Sequence, residues 1–172
     1  MAWAFARLGK PNPDFLHLLR EQADADMSRF PERLLPDLAW SLVKLEAAED
    51  DTMQKLADEA QQVTRLDGVS WMTLILSLNH ANVKPRQIDK LVRNCAASLK
   101  GKIKSQTESS LLALHWLLRS VKRTKGIASF RKDIDIEISN RGLDSLDLST
   151  MFTQEGAFLQ LLPSESATFA AT

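Results

Sequence analysis

The sequence is poor in the residues that build disulfides, metal sites and strands. Its 172 residues contain one cysteine, no tyrosine, 6 glycines and 6 prolines. A single cysteine, Cys95, excludes an intrachain disulfide framework and a structural zinc site built on several thiolates. The β-branched and aromatic residues that fill strands are scattered singly, apart from one short alternating stretch. This composition predicts an all-α protein, and its length suits one domain.

Long apolar runs are also missing. The longest run, residues 72–78 (MTLILSL), is far shorter than the roughly 18 residues that a membrane span needs. The sequence therefore predicts a soluble protein that does not insert into a membrane.

A helical motif containing tryptophan recurs along the chain. Residues 1–8 (MAWAFARL) are echoed by residues 38–45 (LAWSLVKL) and by residues 114–121 (LHWLLRSV). A weaker copy at residues 72–78 puts Thr73 at the tryptophan position. A second amphipathic segment lies between successive copies, so each unit is interpreted as a pair of helices.

These units predict an α-solenoid of about four to five degenerate helix-hairpin repeats, because one helix pair cannot bury its own apolar surface without neighbours. The tryptophans are expected to fill the gaps between units rather than to bind a ligand. We predict one domain over residues 1–153 and a frayed tail over 154–172. The predicted units are 1–37, 38–68, 69–104, 105–142 and a partial unit at 143–153.

Residues 127–140 admit two interpretations. Ile134, Ile136 and Ile138 alternate as they would in a strand, whereas Ile127, Phe130, Ile134 and Ile138 share one side of a helix. The helical context favours a helix, because a lone strand would leave its backbone groups unpaired.

The net charge of zero hides an uneven distribution. Residues 84–132 hold 13 Lys or Arg and only two acidic residues, while residues 1–67 and 133–172 are net acidic. Phosphate groups of a nucleic acid are a natural ligand for such a cluster, since each neutralised phosphate releases counterions. The basic residues of the segment would form one surface patch if the loop at 100–104 and the end of the helix that holds Trp116 lie on the same edge of the solenoid. The candidate RNA-binding residues are Arg86, Lys90, Arg93, Lys100, Lys102, Lys104, Arg119, Lys122, Arg123 and Lys125.

The basic segment also admits roles that involve no nucleic acid. Cations near the C-terminus of a helix are favoured by its dipole, and a charged helix face is commonly a solvated one. The segment would also suit docking to an acidic protein, or pairing with an adjoining acidic segment.

The sequence offers no constellation for catalysis. His17, His80 and His115 are far apart and lack metal-ligand spacing, and Cys95 lies on the apolar side of its helix. Glycine-rich phosphate loops, the nucleophile elbow and paired His-Glu metal motifs do not occur in the sequence. We therefore predict a non-enzymatic protein without a metal or another cofactor.

The repeated motif also resembles a known group of families. Residues 2–9 (AWAFARLG) and their second copy at 38–45 are similar to the helix-pair repeats of octotricopeptide-repeat proteins and of the related FAST-kinase and RAP-domain proteins. The resemblance covers residues 1–125. It implies an α-solenoid that contacts single-stranded RNA in mitochondria or chloroplasts and acts in RNA maturation, stability or translation.

The resemblance also leaves room for a role within an assembly. Members of these families occur in larger assemblies, including organellar ribosomes, which adds ribosomal RNA and other protein subunits to the expected partners. We assign no base-reading residues to this sequence from the resemblance. Two hypotheses follow, an RNA-binding solenoid that uses the basic segment and a protein-protein scaffold that uses the same surface.

Overall fold

The computed structural model describes residues 2–8, 12–121 and 124–144, and these residues contain helices and no strand. The α-helices are α1 (Ala2–Leu8), α2 (Pro13–Ala25), α3 (Leu35–Lys44), α4 (Asp50–Ala60), α5 (Gly68–His80), α6 (Pro85–Leu99), α7 (Glu108–Ser120) and α8 (Ala128–Asn140). Short 3₁₀ turns lie at Met27–Arg29, Glu32–Leu34 and Ile103–Ser105. The prediction of an all-α protein is confirmed. Within the described ranges, no helix combines the length and the apolar character that crossing a membrane requires.

The helices pack in two rows. In the first row, α3 contacts α1 and α5, and α5 contacts α7. In the second row, α4 contacts α2 and α6. Contacts of α3 with α4 and of α5 with α6 join the rows, and α8 packs against α7.

Side-chain caps explain where several helices begin. The side-chain oxygens of Asn12, Asp67 and Thr107 accept hydrogen bonds from backbone N–H groups in the first turns of α2, α5 and α7. Each bond satisfies an amide that has no partner within its own helix. Prolines occupy the first turns of α2, α3 and α6, where a missing N–H costs nothing.

The backbone hydrogen bonds donated by the C-cap residues of α3, α5 and α7 to the residues four positions earlier offer one structural register for the repeated motif. The amides of Leu45, Ala81 and Val121 donate to the carbonyls of Ser41, Ser77 and Leu117. The residues just before these acceptors are Trp40, Leu76 and Trp116. Counted from these bonds, Leu76 rather than Thr73 is the counterpart of Trp40 in α5.

The tryptophan side chains serve the core to different extents. Trp71 is fully buried, and its Nε1 donates a hydrogen bond to Ser98 Oγ on α6 at 3.1 Å. Trp40 is also buried, whereas Trp116 is half-buried against the core. Trp3, in the first motif copy, lies outside the described side chains. Trp40 and Trp71 are therefore core residues.

Residues 128–140 form helix α8, so the helical interpretation of this segment is confirmed. Its buried side chains are Phe130, Ile134 and Ile138. Ile136, which the strand interpretation placed on the same side, is 48% exposed. Arg131 fixes α8 to α7 by donating from Nη2 to the carbonyl of Leu118 at 2.6 Å. The predicted partial unit at 143–153 reaches the described residues only at 143 and 144, and the predicted tail at 154–172 lies outside them.

Candidate nucleic-acid interface

Helix α6 is held on three of its four sides. Its apolar side faces the core and includes Leu91 and Cys95. On one flank, Gln87 Nε2 donates to Asp58 Oδ1 of α4 at 2.6 Å. On the opposite flank, Asp89 Oδ1 accepts from Thr124 Oγ1 at 2.7 Å, which brings the segment after α7 against α6. The remaining side faces solvent.

This open side carries a row of cations, which we call the α6 basic face. Its members are Arg86, Lys90, Arg93 and Lys100, and all four are exposed. Steps of four, three and seven residues keep side chains on one side of a helix. At a rise of 1.5 Å per residue, the row is about 21 Å long. The α6 basic face is therefore a straight ridge of positive charge.

The C-terminal end of this ridge continues into a loop with two more lysines. Gly101, at a φ of 79°, turns the chain out of α6, and the exposed Lys102 and Lys104 follow. Arg141, at the end of α8, donates from Nη2 to the Lys104 carbonyl at 2.8 Å and from Nη1 to the Gln106 carbonyl at 2.9 Å. The backbone that carries the two lysines is thus tied to α8.

We expect Arg141→Met to lower the free energy of unfolding by about 1–2 kcal/mol, because two carbonyls lose a charged donor while the aliphatic volume is retained. Chemical denaturation followed by circular dichroism measures this loss. Lys132→Met is a suitable control, because Lys132 is exposed on the same helix and makes no hydrogen bond or ion pair with a described residue. Equal stability of the two variants would contradict the prediction.

The N-terminal end of the ridge adjoins the segment between α7 and α8. Lys125 follows Thr124 and is exposed, and Arg119 is exposed in the last turn of α7. Lys122 and Arg123 lie outside the described residues. The sequence prediction omitted Lys84, which is exposed at the N-cap of α6 next to Arg86. Lys84 is the first residue of the basic segment at 84–132, and the sequence analysis could have included it for that reason.

The structure does not place the candidate RNA-binding residues on a single edge, which is the arrangement that the sequence analysis considered. The loop with Lys102 and Lys104 precedes α7, whereas Arg119 lies near the other end of that helix. Residues 108 and 119 are about 17 Å apart at the helical rise. The loop and the C-terminal end of α7 therefore lie on opposite edges of the structure. The α6 basic face runs from one of these edges to the other.

The cations of this surface have no partner among the described residues. None of the eight described candidate side chains takes part in a hydrogen bond or an ion pair there. Elsewhere, Arg20 pairs with Glu49 at 2.6 Å and Arg141 pairs with Glu137 at 2.8 Å. The positive charges of the surface are consequently available to a polyanion.

The remaining residues considered from the sequence lie apart from this surface and from one another. Cys95 is buried, and burial raises the pKa of its thiol, which keeps it protonated. His17 lies 3.4 Å from Glu21, His115 lies 2.9 Å from Asp135, and His80 is exposed. Within the described part of the chain, no group of three or more His, Cys, Asp or Glu could hold a metal ion.

Comparison of the chain with protein-family models, with curated proteins and with solved structures found no match.

Proposed function

We propose that this protein is a non-enzymatic helical-repeat protein that binds RNA through the α6 basic face and the cations at its two ends. The observation that carries the proposal is the absence of internal partners for these cations. Eight described candidates are exposed on or beside one helix, and none is neutralised by a described residue. Cations placed in this way bind phosphates and release counterions.

The proposal includes an α-solenoid. Its support is the order of contacts, since α1, α3, α5 and α7 form one row and α2, α4 and α6 form another. A prevalence of contacts between neighbouring helices is typical of stacked helix pairs. The motif resemblance extends the proposal to organellar RNA metabolism or a ribonucleoprotein assembly, in a mitochondrion or a chloroplast.

A direct test measures RNA affinity by fluorescence anisotropy over a range of salt concentrations. If six of the cations contact phosphates, log K falls against log salt with a slope of about −4 for a single strand. No detectable binding at low salt would refute the proposal.

We expect the double variant Lys90→Glu with Arg93→Glu to weaken RNA binding by at least about tenfold and to make the salt slope for a single strand shallower by about 1.4. These residues lie one turn apart in the middle of the α6 basic face. The measurement is the same anisotropy titration, and a circular dichroism melt verifies that the variant is folded.

The matched control is Arg33→Glu with Arg65→Glu. Both arginines are exposed and neither belongs to α6, so the control changes the net charge by the same amount at another place. Equal loss of affinity in the two variants would show that only the net charge matters, which would contradict binding at α6.

The alternative function is that of a scaffold subunit in a larger complex, and exposed apolar side chains favour it. Leu18 on α2 is 57% exposed and Leu34 is 42% exposed. Such side chains mark an interface with a protein partner where they belong to one contiguous apolar patch. If they form such an interface, Leu18→Glu abolishes capture of the partner and leaves RNA affinity unchanged.

A further inference from the structure

No described tryptophan or phenylalanine ring is exposed on the basic surface. Proteins that bind single strands stack the bases on exposed aromatic rings and on arginine guanidinium groups. Among the described residues, the exposed large apolar side chains are Leu18, Leu34 and Ile136, and none of them is aromatic. The described tryptophan and phenylalanine side chains are buried or half-buried against the core. On the α6 basic face, unpaired bases would therefore have the guanidinium groups of Arg86 and Arg93 to stack on, without a large aromatic ring.

The amide side chains of α6 are also turned away from a ligand. Asparagine and glutamine read base edges when both ends of the amide are available. Gln87 Nε2 is bonded to Asp58, and Gln87 Oε1 is buried. Asn94 Nδ2 donates to the Gln61 carbonyl at 3.0 Å. Both amides therefore hold α6 to α4, and neither is placed to read a sequence.

Charge disfavours a phosphate ligand on the α4 flank of α6. The exposed carboxylates of Asp51 and Asp58 repel phosphates there, although Lys55 is exposed on the same helix. Away from this flank, the α6 basic face offers phosphates a straight row of cations about 21 Å long. A base-paired helix presents phosphates at a fixed spacing on a rigid helical backbone, and duplex RNA is recognised through its shape and backbone. A flexible single strand must be ordered on the ridge, at an entropic cost that a rigid duplex does not meet.

From these observations we infer that the ligand of the α6 basic face is the phosphate backbone of a base-paired nucleic acid, contacted without reading its sequence. This inference rests on the proposed function and narrows it, replacing the single strands expected from the motif resemblance with base-paired segments. The chemistry is shared by duplex RNA and duplex DNA, so the test includes both.

The test compares labelled probes of equal length in one buffer by fluorescence anisotropy. The probes are an oligouridine, two RNA duplexes of unrelated sequence and one DNA duplex. We expect the RNA duplexes to bind at least about tenfold more tightly than the oligouridine and to differ from each other by less than about threefold. The variant Lys90→Glu with Arg93→Glu should lose at least about tenfold in affinity for both duplexes. Equally tight binding of the DNA duplex supports backbone recognition as such, and weaker binding supports recognition of the RNA duplex by its shape or 2′-hydroxyls.

Two kinds of failure are distinguishable. Binding of the oligouridine as tightly as the duplexes, with the same loss in the double variant, overturns the preference for base-paired ligands and leaves RNA binding at α6 intact. A difference of more than about tenfold between the two RNA duplexes overturns recognition without sequence reading. Binding of no probe, or binding that the double variant does not alter, overturns the proposed function itself.

Discussion

Replacing Trp71 with alanine should lower the free energy of unfolding by about 3–5 kcal/mol. The side chain is fully buried on α5, the helix that contacts both α3 and α7 in its row and α6 in the other. Truncation would remove its dispersion contacts and leave a cavity among helices that cannot all close around it. Urea denaturation, read as a change in the midpoint at a constant slope, measures the loss.

Two further variants separate volume from hydrogen bonding at this position. Trp71→Phe keeps much of the ring and removes the N–H that donates to Ser98, so we expect a loss of about 1–2 kcal/mol. Trp116→Ala changes the same residue type where the ring is half-buried, and its cost should be less than half that of Trp71→Ala. Equal costs at Trp71 and Trp116 would contradict the assignment of Trp71 to the centre of the core.

Features that depend on the spacing of neighbouring residues were predictable from the sequence. On α8, the step of four residues between Phe130, Ile134 and Ile138 defined the buried side, and the exposed Ile136 separates helix from strand. On α6, the apolar residues at helical spacing implied that Arg86 and Lys90 face solvent. Both predictions depend only on the period of one helix.

Features that depend on contacts between distant segments were not predictable. The bond between Thr124 and Asp89 joins residues 35 positions apart and decides where the segment after α7 lies. The bond between Gln87 and Asp58 removes an amide that the sequence alone leaves available to a base. Each depends on how closely α6 is approached by another part of the chain, which the period of a single helix does not determine.

The register of the third motif copy is a related case. An alignment by residue type places Thr73 opposite Trp40, whereas counting from the backbone bonds near the helix ends places Leu76 there. Trp71 lies five residues before Leu76 in α5. The buried tryptophans of α3 and α5 therefore stand at different distances from the ends of their helices.

Gly68→Ala should destabilise the protein by about 3 kcal/mol, although alanine is the better helix former. A Cβ at position 68 would lie about 2.3 Å from the Ser110 carbonyl oxygen and 2.8 Å from Leu114 Cγ. The nearer atom belongs to the backbone of α7, so a change of side-chain rotamer cannot relieve the clash, and α5 must move away from α7. This displacement separates two helices of the first row and outweighs the roughly 1 kcal/mol that helix propensity favours.

The control for this close approach is Gly101→Ala. A Cβ there meets nothing within 4 Å, so only the φ of 79° opposes the substitution, at about 1–2 kcal/mol. Adding Leu114→Ala to Gly68→Ala should not restore stability, because the clash with the Ser110 carbonyl remains and a buried leucine is lost. Thermal and urea denaturation of the four chains measure these differences. If Gly68→Ala were no more destabilising than Gly101→Ala, or if Leu114→Ala rescued it, the backbone of α7 would not be what requires glycine at the start of α5.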